Sequence, residues 1–282
     1  MTSPEPNAVR ALAAAVSKHD GVAAFSEQTL LNPTSPQQHV EHLPVLEHGT
    51  LVGYAQLDRS SAELAIHPDH RRRGLGAALL DDVLARDARA RVWAHGPHPG
   101  AAPLAASRGL EVVRELWLMT ATPPTPASEP EIPSDVVITT FEPDRDADDW
   151  VAVNARAFAS HPEQGRMTRA DLDARLAEPW FDADGFWLAR SAVDGALLGS
   201  MWTKVSEGIG EIYVLGIDPA AQSRGLGGLL TAVAMAYFSR LTVAGELDEV
   251  ELYVEGDHTP AVRTYHRAGF RRRRADLQYA RT

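Results

Sequence analysis

A chain of 282 residues, 44% hydrophobic and 23% charged, is long enough for two packed cores at roughly 150 residues per domain. Its 38 Asp and Glu against 27 Lys and Arg leave a net charge of −11, which argues against a protein that works by neutralising nucleic-acid phosphates. There is no cysteine, so disulfides, thiolate metal sites and a cysteine nucleophile are excluded, and the reducing cytoplasm is the expected compartment.

The opening MTSPEPNAVR has no basic stretch, and no apolar run is read as approaching the about 18 residues of a membrane span, so neither export nor membrane insertion is expected. Small and apolar residues at helical spacing predict a first helix over NAVRALAAAVSKHD, from Asn7. TLVGYAQL from Thr50 predicts a strand by its β-branched and aromatic content. Residues 62–80, AELAIHPDHRRRGLGAALL, read as a strand, a proline-marked turn and a glycine loop that opens a helix. RGLEVVREL from Arg108 reads as a glycine-closed helix end followed by a strand. Residues 122–135, TPPTPASEPEIPSD, hold five prolines and predict an interdomain linker.

Beyond the linker, helices are predicted over DDWVAVNARAFAS and TRADLDARLAE, and strands over GFWLAR, ALLGSMWTKV and VELYVE. Residues 212–230, IYVLGIDPAAQSRGLGGLL, repeat the strand, turn and glycine loop of residues 62–80. Superposing Gly74 on Gly225 also matches Pro68 with Pro219, Arg71 with Gln222 and Gly76 with Gly227. AGFRRRRADL, from Ala268, echoes RGLEVVREL. The expected organisation is an N-terminal domain over 1–122, a linker over 123–135 and a C-terminal domain over 136–282. Each domain is an α/β unit whose mixed, mainly antiparallel twisted sheet is flanked by helices.

The chemistry sits in the repeated loop. Glycines between a strand and a helix let backbone approach a ligand, and the free N–H groups of the first turn face it with the positive end of the helix dipole. That arrangement is a pyrophosphate cradle. One such loop is explained by tight turning alone; two in matched context are not. The spacing fits neither a dinucleotide fingerprint nor a P-loop.

Both loops resemble the acyl-CoA signature, Q/R-x-x-G-x-G/A, of the GCN5-related N-acetyltransferases (GNAT), and the likeness covers most of both halves. The resemblance implies two tandem GNAT domains and acetyl-CoA as co-substrate. It implies cofactor contacts at Leu64, Ala65, Ile66, Arg72, Arg73, Gly74, Leu75, Gly76 and Ala77 in the first half. In the second half the implied contacts are Leu215, Gly216, Ile217, Gln222, Ser223, Arg224, Gly225, Leu226, Gly227 and Gly228, then His258, Thr259, Pro260, Ala261, Val262 and Arg263. The family often has asparagine where this chain has His258, followed here by Pro260.

HPEQG from His161, EPWFD from Glu178 and ELYVEGDHTPAVRTYHRAGF from Glu251 resemble a tandem-domain branch of the family. That branch acetylates the cysteinyl amine of a glucosamine–inositol pseudodisaccharide. The resemblance then implies acceptor contacts at Glu27, Glu163, Lys204, Glu211 and Tyr253, catalysis by Glu211 as base and Tyr265 as acid, no metal, and a monomer. Matching Gly109 with Gly269 sets Ala105 opposite Tyr265, and the loop register sets Ser60 opposite Glu211, so catalysis is expected in the second half only. Without the resemblance, the glutamate reads as a solvated strand end and the tyrosine as a core aromatic. Acetylation of another small amine or a protein N-terminus stays open, as does a non-catalytic acyl-CoA sensor. His95 and His98 read as part of a turn, residues 271–274 as a solvated basic strand or as help for the CoA phosphates, and residues 144–149 as acidic capping of a helix.

Overall fold

The computed structural model of the chain describes residues 4–34, 39–123, 129–159 and 164–282. Helix α1 (Pro6–Asp20) opens with proline in its first turn, where no backbone donor is needed, and stops at Gly21 in the left-handed conformation. Its buried residues Val9, Leu12, Ala13 and Val16 recur at helical spacing and dock on Tyr54 and Ala65. The short α2 (Glu27–Leu31) is capped by the Ser26 side chain. Strands β1 (Val40–Glu47), β2 (Thr50–Asp58) and β3 (Ser61–Ile66) form an antiparallel meander. The glycine loop then leads into α3 (Leu75–Arg86), followed by β4 (Arg91–Ala94), α4 (Ala101–Ala106) and β5 (Glu111–Ala121).

The second half repeats this order with β6 (Val136–Thr140), α5 (Pro143–Ala157), α6 (Arg169–Leu176), β7 (Phe186–Ser191), β8 (Leu197–Ser206), β9 (Ile209–Ile217), α7 (Leu226–Ala244), β10 (Glu249–Glu255), α8 (Thr259–Arg267) and β11 (Arg271–Ala280). Helix α6 begins with a full capping box between Thr168 and Asp171.

Two compact units emerge, and their limits differ from the expected ones: Met1–Trp117 with Arg274–Thr282, and Leu118–Arg273. The last nine residues fall in the first unit because Leu277, Gln278 and Tyr279 pair antiparallel with Ala94, Trp93 and Val92. No composition signal marks that exchange, whereas the prolines of the linker are conspicuous. In the first unit the strand order is β1-β2-β3-β4-β11, with β3 and β4 parallel. A core of Leu79, Leu80 and Val83 from α3 packs on Ala55, Leu57, Ala62 and Val92.

In the second unit the order is β10-β9-β8-β7-β6, antiparallel except for the β9–β10 pair. One face carries an aromatic cluster in which Phe186 stacks on Trp202 at 4.6 Å and on Phe141 at 4.2 Å. Trp150 of α5 stands edge-on to Trp202 at 5.8 Å and donates its indole N–H to the Ser200 hydroxyl. The other face is covered by α7. By length and composition this helix could cross a membrane, contrary to the sequence reading that no apolar run approaches a span. Half of its most apolar window is buried inside the protein.

Candidate active site

The glycine loops are built alike in both units. Ahead of each, a proline opens a single turn whose N-cap side chain, His67 or Asp218, accepts from the backbone two residues on. Arg72 and Ser223 then take positive φ of 63° each, and Gly74 and Gly225 take 83° and 78° at the helix N-cap. Neither cap position has a side chain bonded to the first-turn donors, so those N–H groups face outward with the helix dipole. A Cβ on Gly227 or Gly228 would meet nothing within 4 Å, so packing does not demand glycine there. In the first unit Arg71 is committed to Asp20 through two bonds of 2.7 and 2.8 Å, and Arg73 to Glu47.

Beside each loop two parallel strands part. The β9–β10 ladder ends at Ile212 and Leu252, whereas β9 runs on to Ile217 and β10 to Glu255. The β3–β4 ladder ends at Glu63 and Trp93, whereas β3 runs on to Ile66. In an antiparallel pair every second residue turns its backbone groups away from its partner, so part of the 214–217 backbone on β9 faces the opening rather than β8. The strand residues expected to contact the cofactor, Leu215 to Ile217 and Leu64 to Ile66, thus line an opening in each unit.

Only the second unit carries a bulge here, where the β8–β9 register shifts between Trp202 and Thr203 and leaves Tyr213 as the extra residue. The effect on side-chain direction is visible in two glycines. A Cβ on Gly210 would press on Leu247 and Phe238, yet one on Gly216, six residues on, would press on Phe158 and Ala157 at the opposite face. The bulge also changes the comparison with the first unit. Gly53 pairs with Ile66 and Gly199 with Ile217, so Asp58 stands where Lys204 stands, and their partners are Ser61 and Glu211. Ser61, not Ser60, therefore occupies the place of Glu211.

On the second unit's sheet, Glu211 is half-buried and lies in register between Lys204 on β8 and Glu251 on β10. Tyr253 follows Glu251 on the same alternating, half-buried side of β10. The Lys204 ammonium sits 4.6 Å from the centre of the Trp180 ring and 5.7 Å from that of Tyr213. Tyr265 lies on α8, 6% exposed and edge-on to Phe270 at 5.9 Å, and burial alone pushes its phenol pKa up. Its carbonyl accepts from the Phe270 N–H at 3.0 Å, as the carbonyl of buried Ala105 does from Leu110, so the two positions correspond. His258 caps α8, and Pro260 falls in its first turn, where the missing donor costs nothing.

Three of the expected acceptor contacts, Lys204, Glu211 and Tyr253, are gathered on neighbouring strands of one unit. Glu27 opens α2 in the other unit, and Glu163 lies outside the described residues. Trp180, Tyr213, Arg175 and Glu251 belong to the same region and were not assigned from sequence; the uniformly apolar IYVLGI hides the bulge that brings Tyr213 there. A cleft of about 360 Å³ between α5, the start of β8 and residues 218–221 contains none of the expected acceptor or catalytic residues. Among the described residues no group of three or more His, Asp or Glu is placed to hold a metal.

His95 is more than a turn residue. In the first unit its Nδ1 lies 2.9 Å from Asp276 and its Nε2 3.5 Å from Glu63, which also accepts from the Ser26 N–H. Asp276 further accepts from the Gly96 N–H and from Arg274. Burial works against the imidazolium, but the Glu63 and Asp276 carboxylates outweigh it and raise His95 to about 10. Both carboxylates are held below their ordinary range by His95, against their own desolvation. Above them, Gln56 occupies the place that Trp202 fills in the second unit, bonded to Asn32 and Tyr54.

A model of the acetyltransferase (GNAT) family matches residues 150–270, and one of an acetyltransferase (GNAT) domain matches residues 39–108. A mycothiol acetyltransferase of Sanguibacter keddieii is 47% identical, covering 100% of this chain and 94% of the relative. That of Salinispora tropica is 45% identical, covering 99% and 94%. Among solved structures, a tandem GNAT protein from the clavulanic acid biosynthesis pathway superposes with a TM-score of 0.72 at 20% identity, covering 98% of this chain and 94% of the other. A GCN5-related N-acetyltransferase from Sphaerobacter thermophilus gives 0.67 at 24%, covering 98% and 93%. The paired glycine loops, the parted strands and relatives of this identity along the whole length lead to one conclusion: the chain belongs to the mycothiol acetyltransferase family of tandem GNAT acetyltransferases.

Proposed function

We propose that the second unit transfers acetyl from acetyl-CoA to the cysteinyl amine of cysteinyl-glucosaminyl-inositol, by direct attack in a ternary complex. The observation that carries this reading is the row Lys204–Glu211–Glu251, set one residue short of where β9 and β10 part and on the strand that feeds the glycine loop. Glu211 takes the proton of the acceptor ammonium, directly or through water, and frees the lone pair. The amine nitrogen bonds to the thioester carbonyl carbon, and backbone N–H groups around Leu215 and Gly216 that face the opening steady the oxyanion. The C–S bond then breaks. The Tyr265 phenol, kept protonated by burial, donates to the departing thiolate, and the resulting phenolate is restored by the second proton that the former amine nitrogen loses on becoming an amide. Without a cysteine in the chain, no thioester on a protein thiol intervenes.

The diphosphate of CoA is assigned to the first turn of α7, and the hydroxyls and ammonium of the acceptor to Lys204, Glu211, Tyr253 and Glu163. In the first unit Ser61 and Ala105 replace the base and the acid, and we assign that unit a cofactor-holding or structural role. The test is free CoA release from acetyl-CoA with and without cysteinyl-glucosaminyl-inositol, with the product weighed by mass spectrometry. Acceptor-dependent release and one acetyl on the amine are expected. Turnover with other amines alone would overturn the acceptor, and tight binding without transfer to any amine would leave only an acyl-CoA sensor.

A further inference from the structure

Lys204 is one of only two lysines in the chain, the other being Lys18; the remaining twenty-five basic side chains are arginines. Its ammonium faces two aromatic rings, Trp180 at 4.6 Å and Tyr213 at 5.7 Å, whose centres are 5.0 Å apart with planes inclined by 60°. Those rings form two walls around a point charge. Tyr213 is in turn fixed from behind: its hydroxyl accepts from Nε of Arg175 at 2.7 Å. Arg175 is 7% exposed, and its Nη1 donates to the Asp171 carbonyl one turn back in α6. The Trp180 indole N–H is buried and has no hydrogen-bond partner among the described residues, so nothing polar competes for the orientation of that ring.

We infer that Tyr213 and Trp180 are positioning residues that hold the Lys204 ammonium in place for the acceptor, and that Arg175 fixes Tyr213 for this purpose. The inference rests on reading Lys204 as an acceptor-binding cation. An aromatic face attracts an ammonium through its quadrupole and so restrains where the charge can sit. The four-carbon stem of lysine is otherwise mobile, and restraining it beforehand removes an ordering cost from binding. An arginine would lie flat on the ring and present its fork edge-on. The bulge belongs to the same device: the antiparallel β2–β3 ladder of the first unit runs from Gly53–Ile66 to Asp58–Ser61 without a shift and has Asp58 in place of the lysine. Bulge, cage and lysine occur together in one unit and are absent together from these positions of the other.

Two measurements test the inference. Steady-state kinetics come first. Tyr213→Leu raises the KM for cysteinyl-glucosaminyl-inositol about tenfold, with kcat within about twofold and the KM for acetyl-CoA unchanged. Tyr213→Phe, which keeps the ring and releases Arg175, gives a smaller rise of the same kind. In a Lys204→Ala background Tyr213→Leu adds nothing further. An equal rise in that background would make Tyr213 an independent contact or a packing residue and overturn the inference, as would a Lys204→Ala variant with unaltered acceptor KM. The second measurement does not depend on the acceptor. Reductive ¹³C-methylation labels two lysines and the N-terminus, and ring currents displace the Lys204 methyl signal upfield unless Trp180 or Tyr213 is changed to Leu. A Lys204 signal at the position of a solvated lysine sinks the cage. Absence of turnover with cysteinyl-glucosaminyl-inositol, accompanied by a displaced signal that moves with the amine actually acetylated, overturns the proposed acceptor and upholds the cage.

Discussion

At the scale of single residues, the proposed mechanism gives Glu211 the proton of the acceptor ammonium and Tyr265 the protonation of the leaving thiolate. Glu211→Gln keeps the shape and loses the base, so kcat/KM falls about a hundredfold or more. The deficit is largest below about pH 7.7, where the acceptor amine is mostly an ammonium, and shrinks as pH rises. Comparing pH–rate profiles of the two proteins checks this; parallel profiles would remove the role. Tyr265→Phe leaves the buried ring against Phe270 and removes the hydroxyl, so acetyl-CoA binding holds while chemistry slows about a hundredfold, readable in single-turnover CoA release. The pairing of Glu211 with Tyr265 is read from the family resemblance, and the repeat, with Ala105 opposite Tyr265, points only to the half expected to hold it. The cage around Lys204 was not legible, since Trp180 and Tyr213 meet through a bulge and a helix that no local pattern announces.

At the scale of elements, the two glycine loops separate conformational need from ligand need. Gly225 has φ of 78°, so Gly225→Ala costs about 1 kcal/mol in the denaturation midpoint and also raises the KM for acetyl-CoA. Gly227 lies inside α7 with open space around it, and Gly227→Ala is expected to raise stability by up to about 1 kcal/mol through helix propensity. With the CoA diphosphate placed at this turn as proposed, the same methyl is expected to weaken acetyl-CoA binding. A Gly227→Ala protein that is both more stable and binds acetyl-CoA equally well would show that no ligand approaches this turn. Sequence reading placed this element correctly because proline and glycine act locally. It misplaced the register of the neighbouring strand by one residue, choosing Ser60 over Ser61, because a bulge changes pairing without changing composition. It also read His95 as a turn, because its partner Asp276 lies 181 residues along the chain.

At the scale of the molecule, the buried group Glu63–His95–Asp276–Arg274 makes the first unit's stability depend on pH in a definite direction. His95 is raised from 6.5 to about 10, so its contribution is complete below pH 6.5 and is lost as pH climbs toward 10. Glu63 and Asp276 are lowered from 4.5 and 3.8, so theirs is present above those values and lost as pH falls through them. The cluster is strongest between about pH 4.5 and 6.5. His95→Gln strands two buried carboxylates and costs about 3 kcal/mol in that window, with the gap to the parent protein closing toward pH 10. Denaturant midpoints measured from pH 5 to 10 follow this; a constant gap would mean that shape alone accounts for the loss.

The return of residues 274–282 to the first unit also sets a timetable for biosynthesis. A ribosome emits the first unit's helices, meander and glycine loop long before it emits the strand that pairs with Val92, Trp93 and Ala94, and before Asp276 can meet His95. Chains usually fold domain by domain from the N-terminus. Here the earlier half is completed only by a segment that follows the whole second unit in the chain. An interruption of the chain before residue 274 would therefore strike hardest at the unit that was made earlier.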